Sequence, residues 1–188
     1  LAAGSFSGSG KKTEYVVGVG PGSAPQVRIF NANDSVRDWG FFAYNTSYRG
    51  GVNVATGDID GDAIDEIATG TNEGSTTHVK VFRQNGSTVS SFFAYPGYYT
   101  GVNVALDDLD NDGETEIITG TGYGSTSHVK IFTKEKKKKN SFFAYPGYYT
   151  GADVATGDVD GDGKKEIITS TSKGSRAHIK IFDTNGKI

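Results

Sequence analysis

Three carboxylate clusters recur at a spacing of 50 residues: Asp58-Ile-Asp60-Gly-Asp62, Asp108-Leu-Asp110-Asn-Asp112 and Asp158-Val-Asp160-Gly-Asp162. Four residues beyond each last aspartate stands a glutamate, Glu66, Glu116 and Glu166. Counting from the first aspartate, side-chain carboxylates fall at positions 1, 3, 5 and 9, and the backbone carbonyls of Ile64, Glu114 and Lys164 fall at position 7. Alternate side chains converge only if the backbone curls, which gathers these oxygens around one hard cation. Ligation by oxygen alone, with several carboxylates, selects calcium over zinc or copper, and the ligand count favours calcium over magnesium. Three ions per chain are expected, one for each loop. The curl wants a residue tolerant of positive φ at position 6. Gly113 and Gly163 supply it, whereas Ala63 is a strained choice costing about 1 kcal/mol. An EF-hand is excluded, because its acidic ligand at position 12 is replaced by Thr69, Thr119 and Thr169, with strand rather than helix to follow.

The elements that position these loops repeat with them. Self-alignment divides residues 1–188 into units 1–53, 54–103, 104–153 and 154–188, a single propeller or part of one. In the first unit Ser5, Ser7 and Ser9 stand where the aspartates should be, the stretch from Gly10 to Glu14 carries one extra residue, and no calcium is expected. Each unit reads as short strands. In the second these are Val-Asn-Val-Ala at 52–55, Glu-Ile-Ala-Thr at 66–69, the alternating His-Val-Lys-Val-Phe at 78–82 and the aromatic Ser-Phe-Phe-Ala-Tyr at 91–95. Asn85-Gly86 between the last two predicts a two-residue hairpin turn, and Asn185-Gly186 occupies the same place in the fourth unit, which lacks its last strand. No window carries a helical period. The chain is all-β, and a four-stranded unit of about 50 residues in tandem is the pattern of a β-propeller blade, whose faces must be covered by its neighbours.

Composition is consistent with this and excludes other classes. Among the 188 residues Gly is frequent (27) and Pro scarce (4), as many tight turns require. Twelve of the 22 acidic residues are the loop carboxylates, four in each of three loops, so three divalent ions would move the net charge from −3 to +3. A nucleic-acid partner is not indicated by such a balance. There is no cysteine for a disulfide or thiolate site. No apolar run approaches the ~18 residues of a membrane span. No signal peptide is visible, Met is absent, and the opening on Leu1 reads as part of something longer.

The acidic loops, with the segment Gly18-Val-Gly-Pro-Gly-Ser-Ala-Pro25 and the Gln-Val-Arg-Ile-Phe that follows it, resemble FG-GAP/VCBS-type repeats, a family that includes the calcium-bearing blades of integrin α subunits and many microbial surface proteins. The resemblance implies a propeller, commonly of seven blades, with calcium in the loop joining two strands of a blade. It also implies an extracellular or cell-surface setting and a role in adhesion or ligand binding. By matching position it assigns the ligand role to the three aspartates and the glutamate of units two, three and four. Four units are fewer than the usual number, and three arrangements stay open: a small four-bladed ring, a larger ring completed by further blades, or self-association with a second chain.

The remaining features carry less chemistry. His78, His128 and His178 share one repeat position without a second histidine or a nucleophile beside them, and are expected to hydrogen-bond within their blades. The segment Tyr95-Pro-Gly-Tyr-Tyr-Thr-Gly101 and its copy at 145–151 expect packing between blades, with Tyr98, Tyr99, Tyr148 and Tyr149 as the alternative, a face for stacking on sugar rings or a partner peptide. The basic run from Lys134 to Lys139 is expected to be a solvated loop tip. No acid–base pair or activated nucleophile stands outside the loops. The expectation is a non-catalytic, calcium-stabilised module that binds a protein or glycan; a lectin and an architectural repeat of a larger surface protein are the alternatives.

Overall fold

A computed structural model describes residues 1–8, 10, 11 and 13–188, with Asp38 and Trp39 described by their backbone alone. Among them lie fifteen strands and no helix. The first sheet holds β1 (Ala2–Gly4), β2 (Glu14–Gly18), β3 (Gln26–Asn31) and β4 (Val36–Phe42); the second β5 (Val52–Gly57), β6 (Glu66–Thr71), β7 (His78–Phe82) and β8 (Thr88–Phe93). The third comprises β9 (Val102–Asp107), β10 (Glu116–Thr121), β11 (Ser127–Phe132) and β12 (Lys138–Tyr145), and the fourth β13 (Asp153–Gly157), β14 (Glu166–Ser170) and β15 (Ile179–Phe182). Each sheet is an antiparallel meander in chain order, the form of a propeller blade.

Packing joins the sheets in sequence. One apolar cluster unites Phe6, Val16, Val27 and Ile29 of the first sheet with Val52, Ile67 and Phe82 of the second. A second joins Ile59, Ala68, Val79 and Val81 to Val102, Ile117 and Phe132, and a third joins Leu109, Ile118, Val129 and Ile131 to Ala152, Ile167 and Phe182. Period-two alternation thus gives each sheet two apolar faces, one toward the preceding blade and one toward the next. The fourth sheet shows what the next blade does. Val79 and Val129 are fully buried, while Ile179 at the same position is 67% exposed. Likewise Ile59 and Leu109 are buried and Val159 is exposed.

Close approach of the blades depends on glycine. A Cβ at Gly18, Gly70 or Gly120 would lie 2.3, 2.2 and 2.2 Å from the carbonyl oxygens of Val52, Val102 and Ala152 on the inner strand of the next blade. Serine replaces this glycine in the fourth blade, at Ser170. Polar bonds cross the same junctions. Tyr44, Tyr95 and Tyr145 each donate a hydroxyl to the carbonyl oxygen of the next blade's histidine, His78, His128 or His178, at 2.8–2.9 Å. Lys80, Lys130 and Lys180 reach back to the carbonyls of Ala43, Ala94 and Ala144 at 2.9–3.0 Å.

Two local expectations are corrected. The Asn85-Gly86 hairpin is not a two-residue turn. Arg83 N–H bonds Ser87 O and Gly86 N–H bonds Arg83 O, giving a three-residue loop with Gly86 in the left-handed region (φ 80°). Lys136 (φ 69°) holds that place in the third blade. The basic run is not wholly a solvated tip either, since Lys138 and Lys139 belong to β12 and Lys139 turns toward the acidic loop beside it.

Candidate metal centre

The acidic loops join the first and second strands of the blades, as β5–β6, β9–β10 and β13–β14. Their curl is built by aspartate side chains that bind the loop's own amides. Asp58 accepts from Gly61, Asp62 and Ala63 N–H at 2.7, 3.1 and 2.8 Å, and Asp62 accepts from Ile64 N–H at 2.8 Å. Asp108 accepts from Asp112 and Gly113, and Asp112 from Glu114. Asp158 accepts from Gly161 and Gly163, Asp160 from Asp162 and Asp162 from Lys164. Position 6 is left-handed in all three: Ala63 at φ 66°, Gly113 at 85° and Gly163 at 90°. The strain expected at Ala63 is therefore present.

The glutamates close the loops from below. Glu66, Glu116 and Glu166 accept from the N–H of Ile59, Leu109 and Val159 at 3.1, 3.0 and 2.8 Å. Glu66 and Glu116 are buried at 1% and 2% exposure, an expensive place for a lone carboxylate. Burial pushes Glu66 up to about 7, against the Ile59 hydrogen bond that pulls it down, with Asp60, Asp62 and Asp58 adding repulsion. Burial likewise raises Glu116, opposed by Lys139.

Carboxylate oxygens of Asp58, Asp60 and Asp62 lie within 4.8 Å of one another, and the same holds for Asp108, Asp110 and Glu116 and for Asp158, Asp160 and Glu166. The donor set fits calcium: hard oxygens, several of them anionic, on a loop already curled, with a buried carboxylate that a cation would relieve. The backbone at Ile64, Glu114 and Lys164 is placed by its N–H bond to the aspartate two residues before. In the first blade Glu14 keeps the glutamate's role, accepting from Phe6 N–H at 3.2 Å. Ser5 is buried beside the second blade's Asp65, and Ser9 and Lys12 lie outside the described residues.

The other expected residues separate into two groups. Tyr95 and Tyr145 are buried, while Tyr98, Tyr99, Tyr148 and Tyr149 are exposed, at 38%, 69%, 50% and 68%. Packing therefore accounts for the first tyrosine of each segment, while the pair that follows keeps an exposed face, with the Tyr98 ring 6.0 Å from that of Tyr95. His78 and His128 bond Ser91 and Ser141 of the adjacent strand at 2.8 and 2.7 Å, the within-blade role expected of them. Their rings lie against Phe93 and Phe143, each about half exposed. Sequence reasoning missed an inner ladder. Asn53 donates to Val102 O and Asn103 Oδ1, and Asn103 to Ala152 O and Asp153 Oδ1, at 2.8–3.0 Å. The recurrence of amide or acid at 53, 103 and 153 was its signal.

Comparison with known proteins agrees with this architecture. The family model of FG-GAP-like repeats matches residues 108–169, which run from the third blade's acidic loop to the second strand of the last blade. That match covers a third of the chain and agrees with the arrangement of its four sheets as propeller blades. No curated protein matches the chain in sequence. Among solved structures it is similar to the exotype rhamnogalacturonan lyase YesX, with TM-score 0.64 and 18% identity over 98% of this chain and 39% of that one. The rhamnogalacturonan lyase YesW gives TM-score 0.63 and 16% identity over 98% and 40% of the two chains. The Bacillus licheniformis rhamnogalacturonan lyase PL11 gives 0.61 and 18% over 98% and 40%. The chain spans about two-fifths of the length of these structures. At such identities the likeness establishes the fold alone.

Proposed function

We propose that this chain is a calcium-stabilised, non-catalytic propeller module, extracellular or at the cell surface, that presents its loops to a protein or glycan ligand. The observation that carries the reading is the same curled loop in three successive blades, each gathering carboxylates above a glutamate held by a backbone N–H. One ion per loop is the expected load, three per chain. Asp58, Asp60, Asp62 and Glu66 with the Ile64 carbonyl would hold the first. Asp108, Asp110, Asp112 and Glu116 with the Glu114 carbonyl would hold the second, and Asp158, Asp160, Asp162 and Glu166 with the Lys164 carbonyl the third. Calcium supplies positive charge there, neutralising the carboxylates and fixing the connection between two strands. Sites of extracellular modules bind at roughly 10⁻⁴–10⁻³ M, a range filled outside cells. No nucleic acid or membrane insertion is part of this reading. Further blades or a second copy would cover the fourth sheet's exposed apolar face.

A lectin is the second reading, favoured by the exposed Tyr98, Tyr99, Tyr148 and Tyr149 beside half-exposed Phe93 and Phe143. Flat aromatic faces repeated on adjacent blades suit sugar stacking and avidity. A glycan array that includes rhamnogalacturonan oligosaccharides, run with calcium and with chelator, separates the two. Calcium-dependent binding lost in Tyr98→Ala/Tyr148→Ala at unchanged melting temperature establishes the lectin. A blank array leaves the protein-binding or architectural module, and an absence of calcium uptake overturns the primary reading.

A further inference from the structure

One position on the fourth strand differs among the blades in a way that tracks the loops. In the pairing of third and fourth strands, Phe30, Phe82 and Phe132 lie opposite Val36, Thr88 and Lys138. The next residues are therefore equivalent: Arg37, Val89 and Lys139. In the first blade, whose loop has lost its aspartates, Arg37 forms an ion pair with Glu14 through Nη1 and bonds Phe6 O through Nη2 at 3.3 Å. In the third, the Lys139 ammonium lies 2.8 Å from buried Glu116, 3.0 Å from Asp110 and 3.7 Å from Asp112. In the second, Val89 packs against the apolar cluster and offers no charge. Arg83 touches that loop from another position, but it meets Asp60 at the exposed rim and makes no ion pair with Glu66 among those described. The fourth sheet has three strands among the described residues.

We propose that this position sets the counter-cation of each loop: Arg37 permanently replaces the metal in the first blade, Lys139 competes with calcium in the third, and Val89 leaves the second dependent on calcium. The inference rests on the calcium reading and deepens it. A lone buried glutamate among aspartates needs positive charge from somewhere. A guanidinium fork bonded to both the carboxylate and a backbone carbonyl is a fixed substitute. An ammonium on a flexible stem is an exchangeable one. It can leave Glu116, Asp110 and Asp112 when an ion enters, at the cost of the contacts it gives up. The sites are thus unequal: without calcium the third blade's loop keeps one positive charge against its carboxylates, and it fills after the second blade's loop.

The experiment is a calcium titration of the full chain followed by ¹H–¹⁵N spectra, with the amides of Ala63, Gly113 and Gly163 reporting the three loops separately. Ala63 is expected to reach its midpoint at lower calcium than Gly113. Lys139→Val should lower the Gly113 midpoint roughly tenfold while making the calcium-free protein less stable, since it removes the ammonium that Glu116, Asp110 and Asp112 share. Val89→Lys should raise the Ala63 midpoint and leave Gly163 unmoved. A Gly113 midpoint unchanged in Lys139→Val, with all three loops still filling, overturns the competition and leaves the calcium reading standing. An absence of calcium response in the wild type and in both variants overturns the calcium reading and the competition together.

Discussion

The hydroxyl of Tyr95 leaves the second blade and donates to the carbonyl oxygen of His128 in the third at 2.8 Å, lying also 2.9 Å from Thr119 O. Both partners are backbone groups of strands that the tyrosine's own blade covers. Tyr95→Phe should therefore cost about 1–3 kcal/mol, because it leaves buried acceptors unsatisfied. Tyr98→Ala, at an exposed site, should stay within about 0.5 kcal/mol. Chemical denaturation of the two variants checks this. Equal losses would mean that Tyr98 also packs, and the ligand-binding face would lose its basis.

Calcium titration should saturate near three ions per chain, with heat released or spectra changing in all three loops. At calcium ten times the dissociation constant each site adds roughly 1.4 kcal/mol, so chelator should lower the melting temperature clearly. Asp108→Ala should remove one site and spare two. Loss of all three would show the loops to be coupled through the bonds between neighbouring blades.

The repeat, the all-β class and the curled loops were legible because their signals are local: period-two alternation, carboxylates on alternate residues, a positive-φ residue at a fixed place. What escaped was set by neighbours. Nothing in the sequence 138–145 distinguishes a lysine in water from one against a glutamate, and the difference between Lys134 and Lys139 arises only when β12 pairs with β11. The hairpin at Asn85 was misjudged by one residue, because Asn-Gly serves both a two-residue turn and a bulged three-residue loop and strand register decides. The tyrosines divided for the same reason: Tyr95 is buried and bonded to the next blade, while Tyr98 and Tyr99 are exposed.

Burial and the like charges of Lys130 and Lys138 hold the His128 ring down, at about 4 against an ordinary 6.5. Between these values the unfolded chain binds the proton and the folded one does not. The contribution of neutral His128 is thus fully present above pH ~6.5 and is lost as pH falls through ~4. Ring titration by NMR should show His128 still neutral at pH 5, bonded to Ser141. A midpoint near 6.5 would refute the shift.

Gly120→Ala should be among the most damaging single substitutions. Its Cβ would fall 2.2 Å from the carbonyl oxygen of Ala152, and neither strand can withdraw without opening the junction of the third and fourth blades. A loss of several kcal/mol, about 3 or more, is expected, with Gly70→Ala equivalent at the preceding junction. Ser170→Ala should be near neutral, within about 0.5 kcal/mol, because the fourth blade carries a side chain there already. Melting curves of the three variants at saturating calcium give the comparison, and a well-tolerated Gly120→Ala would mean that the blades are less closely packed than their inner strands require.

Ala63 holds φ 66° at the place where the other two loops use glycine. An L-residue with a Cβ is strained by about 1 kcal/mol in that region, and glycine is not, though glycine also widens the unfolded ensemble. Relief of strain is the larger effect at a fixed left-handed position. Ala63→Gly should therefore stabilise the protein by up to about 1 kcal/mol and tighten calcium in that loop slightly, by easing the curl that lets Ala63 N–H meet Asp58 Oδ2 at 2.8 Å. A lower melting temperature in this variant would show that the second blade's loop uses the alanine methyl for packing, and that its left-handed residue is held by contacts rather than merely tolerated.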